Sequence, residues 1–130
     1  MTHRPDVQHY SNLTVWSDGH SIAVRIFRAT ETFPARERFG LASQMRRAAT
    51  SIAANLAEGA KRATDRDFAH FVNIAEGSAA ELEYLLLLGS ELGLIEAAAA
   101  AELTRDLDSL SRRLNVLRQR LSKPRPAARP

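Results

Sequence analysis

The sequence predicts an all-α protein, an up-down-up-down antiparallel four-helix bundle, and three observations carry that prediction. Apolar residues recur at steps of three and four in four separate segments, the spacing that places them on one face of a helix. Proline or glycine punctuates the segments at Pro34, Gly40, Gly93 and Pro124. No segment alternates with a period of two, so no strand competes.

Residues 1–12 hold a proline, polar residues and two histidines without a period, and read as a disordered N-terminal tail. The first helix is expected over residues 17–33. Ser17 or Asp18 can cap it by accepting from backbone amides, Ile22, Ile26, Ala29 and Phe33 form its stripe, and Pro34 ends it. Trp16, just ahead of that cap, is expected to fold onto the end of the bundle. The second helix is expected over residues 39–62. Met45, Ala49, Ile52, Leu56 and Gly59 form its apolar stripe, and Gln44, Arg47, Ser51, Asn55, Glu58 and Arg62 line the other side at the same period.

Thr64 with Asp67 three residues on has the form of a capping box and starts a third helix over residues 65–92. Phe68, Phe71, Ala75, Ser78, Leu82, Leu85, Gly89 and Leu92 then repeat every 3.5 residues on average, the seam of a left-handed bundle. Gly93 tolerates the left-handed backbone of a helix C-terminus and stops it. The fourth helix is expected over residues 96–122, with Leu103, Leu107, Leu110, Leu114, Leu117 and Leu121 on one face. Pro124 ends it, and residues 123–130 read as a disordered basic tail. One stretch asks for more burial than a lone bundle offers. Leu85 to Leu88 are consecutive and point to every side of the third helix. Val72, Ala79 and Leu86 on one flank, and Ile74 with Leu88 on another, therefore predict a homo-oligomer with this helix at the subunit interface.

A chain of 130 residues fits one domain, and with no cysteine it has neither disulfide nor thiolate chemistry. The N-terminal residues show no signal-peptide pattern, and the longest apolar runs, Leu85 to Leu88 and Ala97 to Ala101, are far short of the ~20 residues that span a bilayer. A cytoplasmic protein without membrane contact is the expectation. The formal net charge is only +3, but the signs are segregated. Residues 36–66 carry seven basic and three acidic residues, 67–108 one and nine, and 112–130 seven and none. Such blocks either build a positive face for nucleic acid or let neighbouring antiparallel helices pair opposite flanks.

Little suggests an enzyme. Di-metal bundles use inward carboxylates and a Glu-x-x-His pair on each of two helices, and the nearest match is a single Asp67-x-x-His70 with Asp67 already occupied near a cap. Glu76, Glu81 and Glu83 read as a solvated face, and no nucleophile elbow or phosphate loop is present. No catalytic residue, metal site or cofactor is expected. The cations lead further. In an up-down bundle the second and fourth helices run parallel, so Lys61, Arg62 and Arg66 share one end with Arg118, Arg120 and Lys123. Together with Arg46 and Arg47 they form the candidate phosphate-binding set, for which affinity is salt-dependent and largely sequence-independent.

Several motifs in order resemble a known family. Val15-Trp16, Phe33-Pro34, Glu37 to Leu41, Ser43 to Ala49, Ser51-Ile52, Asn55 to Gly59 and Glu91 to Ile95 are similar to the four-helix-bundle proteins first noted as reading frames in intervening sequences of bacterial large-subunit ribosomal RNA. The likeness covers about residues 13–122. It implies a bacterial cytosolic bundle assembled as a homopentameric ring, with no enzymatic activity. A more distant similarity is to the accessory variability protein of diversity-generating retroelements, a pentameric bundle that binds nucleic acid and a reverse transcriptase. Ala53 stands where many members carry proline, which implies an unkinked second helix. Gln44, Arg46, Arg47, Asn55, Glu58 and Gly59 map onto the family motifs, and Asn55 and Glu58 either bridge helices at a subunit interface or contact RNA. The reading is thus a non-enzymatic oligomer that binds RNA or DNA. The alternative is a scaffold ring that docks a protein partner and has no nucleic-acid role.

Overall fold

The computed structural model of the protein describes Tyr10 and residues 13–124. Most of the expected N-terminal tail, and the basic tail beyond Pro124 with Arg125 and Arg129, lie outside the described residues. Four helices follow in order: α1 (Thr14–Thr30), α2 (Leu41–Ala60), α3 (Asp65–Glu91) and α4 (Ala97–Ser122), with a 3₁₀ turn at Ala35–Glu37. Each packs antiparallel on its sequence neighbour. α2 lies between α1 and α3, α4 lies against α3, and α4 closes the array sparsely against α1. This is the four-helix bundle that the periodicity predicts.

The helix ends show which local signals governed. Thr64 accepts the Asp67 N–H at 3.1 Å and caps α3, and Gly93, at φ 73°, takes the only positive φ among the described residues just after α3 ends. α1 departs from expectation by starting at Thr14. Leu13 is its N-cap and offers no side-chain acceptor, so the hydroxyl of Ser17 and carboxylate of Asp18 were misleading signals. Trp16 consequently sits inside α1, stacked on His20 one turn later at 5.0 Å and meeting Tyr10 edge-on. α1 also stops at Thr30, before Pro34, and the Thr30 hydroxyl in its last turn donates to the Ile26 carbonyl at 2.8 Å. α2 begins at Leu41 and leaves Phe39 outside the helix; it runs unbroken through Ala53.

The core is built from the predicted stripes. Ile22 and Ile26 of α1, Met45, Ile52 and Leu56 of α2, Leu82 of α3, and Leu107, Leu110 and Leu114 of α4 are fully buried. Each such side chain stabilises the fold by about 1.5–3 kcal/mol through apolar transfer. α2 adds small residues at Ala48, Ala49, Ala53 and Gly59, which let both of its neighbours approach. At Gly59 the approach is extreme: an added Cβ would lie 2.8 Å from both Phe68 Cδ1 and Phe71 Cβ.

The predicted interface residues on α3 require a correction. Val72, Ala79 and Leu86 are fully buried within one chain, and Leu88 is half-buried against its core. The cause is that α3 packs on two helices, α2 and α4, so a second flank is covered internally. Of the four consecutive leucines only Leu87 remains largely exposed, joined on the surface by Tyr84 and, less so, Ile74.

Candidate nucleic-acid and subunit surfaces

The turn from α2 to α3 presents the first group of cations. Lys61 is exposed, with its ammonium 5.9 Å from the Tyr10 ring centroid. Arg62 donates to Glu58 Oε1 at 2.9 Å, and its guanidinium lies 4.7 Å from the centre of the Phe71 ring. Arg66 stands exposed in the first turn of α3. From α4, Arg120 and Lys123 are exposed, whereas Arg118 is not part of this surface set. Its Nε donates to Glu76 Oε2, and Asn115 Nδ2 donates to Glu76 Oε1 at 3.1 Å.

That three-residue link sets the register of α4 on α3 and hence the level of the terminal cations. Glu76 lies eleven residues after Asp65, and Ser122 four residues after Arg118. At ~1.5 Å per residue the end of α4 falls within about 10 Å, along the bundle axis, of the start of α3. Lys61, Arg62 and Arg66 therefore share an end of the bundle with Arg120 and Lys123. Glu58, Asp65 and Asp67 stand at the same end and offset part of the charge.

Arg46 is drawn inward by the end of α1. Its Nε donates to Thr30 Oγ1 at 2.8 Å and its Nη2 to the Phe27 carbonyl at 3.3 Å, while the guanidinium covers the Phe27 ring at 4.8 Å. A cation placed at the C-terminus of a helix, where the carbonyls point out, is a favourable arrangement. The expectation that Arg46 meets phosphate is thus corrected to a helix-terminating role, as that for Arg118 is to an interhelical tie. Arg47, next in sequence, remains exposed.

The polar line on α2 is also used within the chain. Asn55 Nδ2 donates to the Ser51 carbonyl at 2.8 Å and to Ser51 Oγ at 3.0 Å, and Ser51 Oγ lies 2.8 Å from Ser78 Oγ on α3. Either serine can donate in the Ser51–Ser78 bond, and with Asn55 donating to Ser51 the three residues form one tie between α2 and α3. Asn55 and Glu58, predicted at a subunit interface, bond inside one chain. Among the described residues, no group of three or more His, Cys, Asp or Glu could hold a metal ion, and no helix is long and apolar enough to cross a membrane.

Sequence reading missed one apolar surface, at Phe39, and reached a second only through the leucine run that holds Leu87. Phe39 is 91% exposed and, with Phe27, borders a shallow groove of about 540 Å³ along Ser43, Arg47 and Thr50. The available signal was a phenylalanine directly before Gly40 and off the α2 stripe. On the α3–α4 side, Tyr84 and Leu87, 60% and 56% exposed, border a groove of about 690 Å³ lined by Ala97, Ala100 and Ala101.

Comparison with known proteins follows the same lines. A family model described as 23S rRNA-intervening sequence protein matches residues 11–116. Among solved structures, a protein of unknown function from the S23 ribosomal protein family of Bacteroides thetaiotaomicron is similar, with a TM-score of 0.73 and 26% identity. The alignment covers 81% of this chain and 98% of that one. No functionally curated protein matches.

Proposed function

Taking as premise that the chain belongs to the 23S rRNA-intervening sequence protein family, we propose that it is a non-enzymatic, cytoplasmic homo-oligomer that binds RNA through the basic end of its bundle. The oligomer is the pentameric ring that the family resemblance implies. The observation that carries the RNA reading is the gathering of exposed Lys61, Arg66, Arg120 and Lys123 at one end, from elements far apart in sequence. Arg62, held by Glu58 and Phe71, adds a cation beside them. Phosphate groups are the natural counterpart of such a surface, because each ion pair formed releases condensed counterions from the nucleic acid.

The arrangement also says which kind of recognition to expect. Cations carried on a turn and on helix ends meet phosphates, and phosphate contacts carry no sequence information, so binding through them is to backbone and shape, not to sequence. Four phosphate contacts give a log–log salt slope near −3.6 on the duplex scale, or about a 150-fold loss of affinity between ~50 and ~200 mM salt. The test is an electrophoretic mobility assay with structured RNA across that range. The expected result is that steep salt dependence, flattened by joint substitution of Lys61, Arg66, Arg120 and Lys123 with alanine. Absence of any shift at low salt refutes the reading. A protein partner retained after nuclease treatment, with no RNA shift, would instead support the scaffold function.

A further inference from the structure

Exposed apolar side chains on a small bundle mark contact surfaces, and four of them, Phe27 with Phe39 and Tyr84 with Leu87, border two grooves on different faces. One carries a knob. Phe39 projects from the chain just before α2, nine-tenths exposed, above the groove bounded by Phe27, Ser43 and Arg47. The other is a hollow between α3 and α4, with Leu86 and the small residues Ala80, Ala97 and Ala101 in its lining and Tyr84 and Leu87 standing at its edge.

Knob and hollow match in level and in charge. Leu41 Cδ2 lies 3.6 Å from where a Cβ on Gly89 would be, so the start of α2 and the last turns of α3 are at the same height on the bundle. Phe39, in the turn before α2, lines its groove together with Ser43 and Arg47, which lie inward of Leu41 along the axis just as Leu87 lies inward of Gly89 on the antiparallel α3. Arg38 and Arg47 line the groove beside Phe39, and Arg36 and Glu37 lie in the 3₁₀ turn just before it. Glu83 lines the hollow and the exposed Glu91, Glu96 and Glu102 lie on the flanking turns of α3 and α4, with Arg105 the one cation in its lining. Two copies side by side with parallel axes would thus bring an aromatic knob to an alanine-lined hollow, and a basic rim to an acidic one.

We propose that Phe39 of one copy seats in the α3–α4 hollow of a second copy, bordered by Tyr84 and Leu87, and that this contact builds the oligomer. The inference rests on the homo-oligomer of the proposed function and names its contact. Because knob and hollow occupy different faces, each copy gives one and receives one. The contact is therefore heterologous and passes from copy to copy, as the ring of the proposed function requires and a two-fold dimer does not. Burying an aromatic of this size removes about 150–250 Å² from water and makes it the anchor of the interface. The basic residues around Phe39 are spent on the neighbouring copy, which leaves the opposite, Lys61 to Arg66 end as the one open to RNA.

The test uses light scattering coupled to size exclusion at micromolar protomer. Phe39→Asp and Leu87→Asp are the two variants, with Tyr84→Asp in place of Leu87→Asp if the latter fails to fold by circular dichroism. The wild type is expected to assemble and each variant to run as a monomer. An equal mixture of the two variants is expected to form a one-to-one pair, since the first keeps its hollow and the second its knob. A monomeric wild type overturns the oligomer and this contact together. An assembled wild type whose variants also assemble, or of which only one dissociates, overturns this contact alone. So does a mixture that stays monomeric.

Discussion

Replacing Gly59 with alanine sets two well-separated effects against each other, and the geometry decides the sign. In a helix interior the change from glycine to alanine is worth about 0.5–1 kcal/mol in favour of folding. Gly59 is the next-to-last residue of α2, so the gain there falls at the lower end of that range. Against it stands the new methyl, 2.8 Å from Phe68 Cδ1 and from Phe71 Cβ. The Phe71 Cβ is one bond from the backbone and cannot turn away, and the Phe68 ring is buried, so relief requires α2 and α3 to separate by about half an ångström. Overpacking of this kind costs about 1–3 kcal/mol. The net expectation is a loss of about 1–2 kcal/mol, a fall in Tm of about 3–6 °C for a chain of this size. Gly77 supplies the control. It is exposed in the middle of α3, and a Cβ there meets nothing within 4 Å, so Gly77→Ala should raise Tm by about 1.5–3 °C. Thermal unfolding followed by circular dichroism, at matched protomer concentration because assembly couples to stability, reads both. A Gly59→Ala protein as stable as Gly77→Ala would refute the close-approach argument.

Two further outcomes follow from individual contacts. Thr64→Ala removes the oxygen that accepts the Asp67 N–H and should lower stability by about 1 kcal/mol in urea unfolding, with Thr64→Ser restoring most of it. The cations separate by role: Arg118→Ala, which abandons Glu76 on the α3–α4 face, should destabilise the fold by about 1–3 kcal/mol and leave the salt slope of RNA binding unchanged, whereas Arg66→Ala should leave stability within about 0.5 kcal/mol and lower that slope by about one.

The bundle was legible because its determinants are local. Stripes at Met45 to Gly59 and Leu103 to Leu121, the Thr64 cap and the Gly93 stop each act over a few residues, and the structure keeps all of them. The start of α1 was not, since stacking of Trp16 on His20 and burial of Val15 extend the helix past two good capping residues without a capping side chain of their own. The roles of Arg46 and Arg118 were hidden for a different reason. Their partners lie 16 and 42 residues away in the chain, and a cation committed to a neighbouring helix has the same local pattern as one facing solvent. Val72, Ala79 and Leu86 were misassigned because a helix with two packed neighbours buries a wider arc than a single stripe describes. Phe39 escaped because it belongs to no stripe at all.

The seam between the first and last helices differs in kind from the other three. α1 meets α4 sparsely, and across that seam Arg25 reaches Asp106 and Arg113 reaches Asp18, each at 2.7 Å with the side chains partly in water. Pairs of this sort add little free energy and are screened by salt. The array is thus a three-helix core of continuous close packing with a fourth member fastened along one dry edge and one wet edge. Salt acts only on the wet edge: Ile22 and Ile26 hold α1 in the common core, so hydrogen exchange is expected to show α1 as the first helix to open, with only a small dependence on ionic strength.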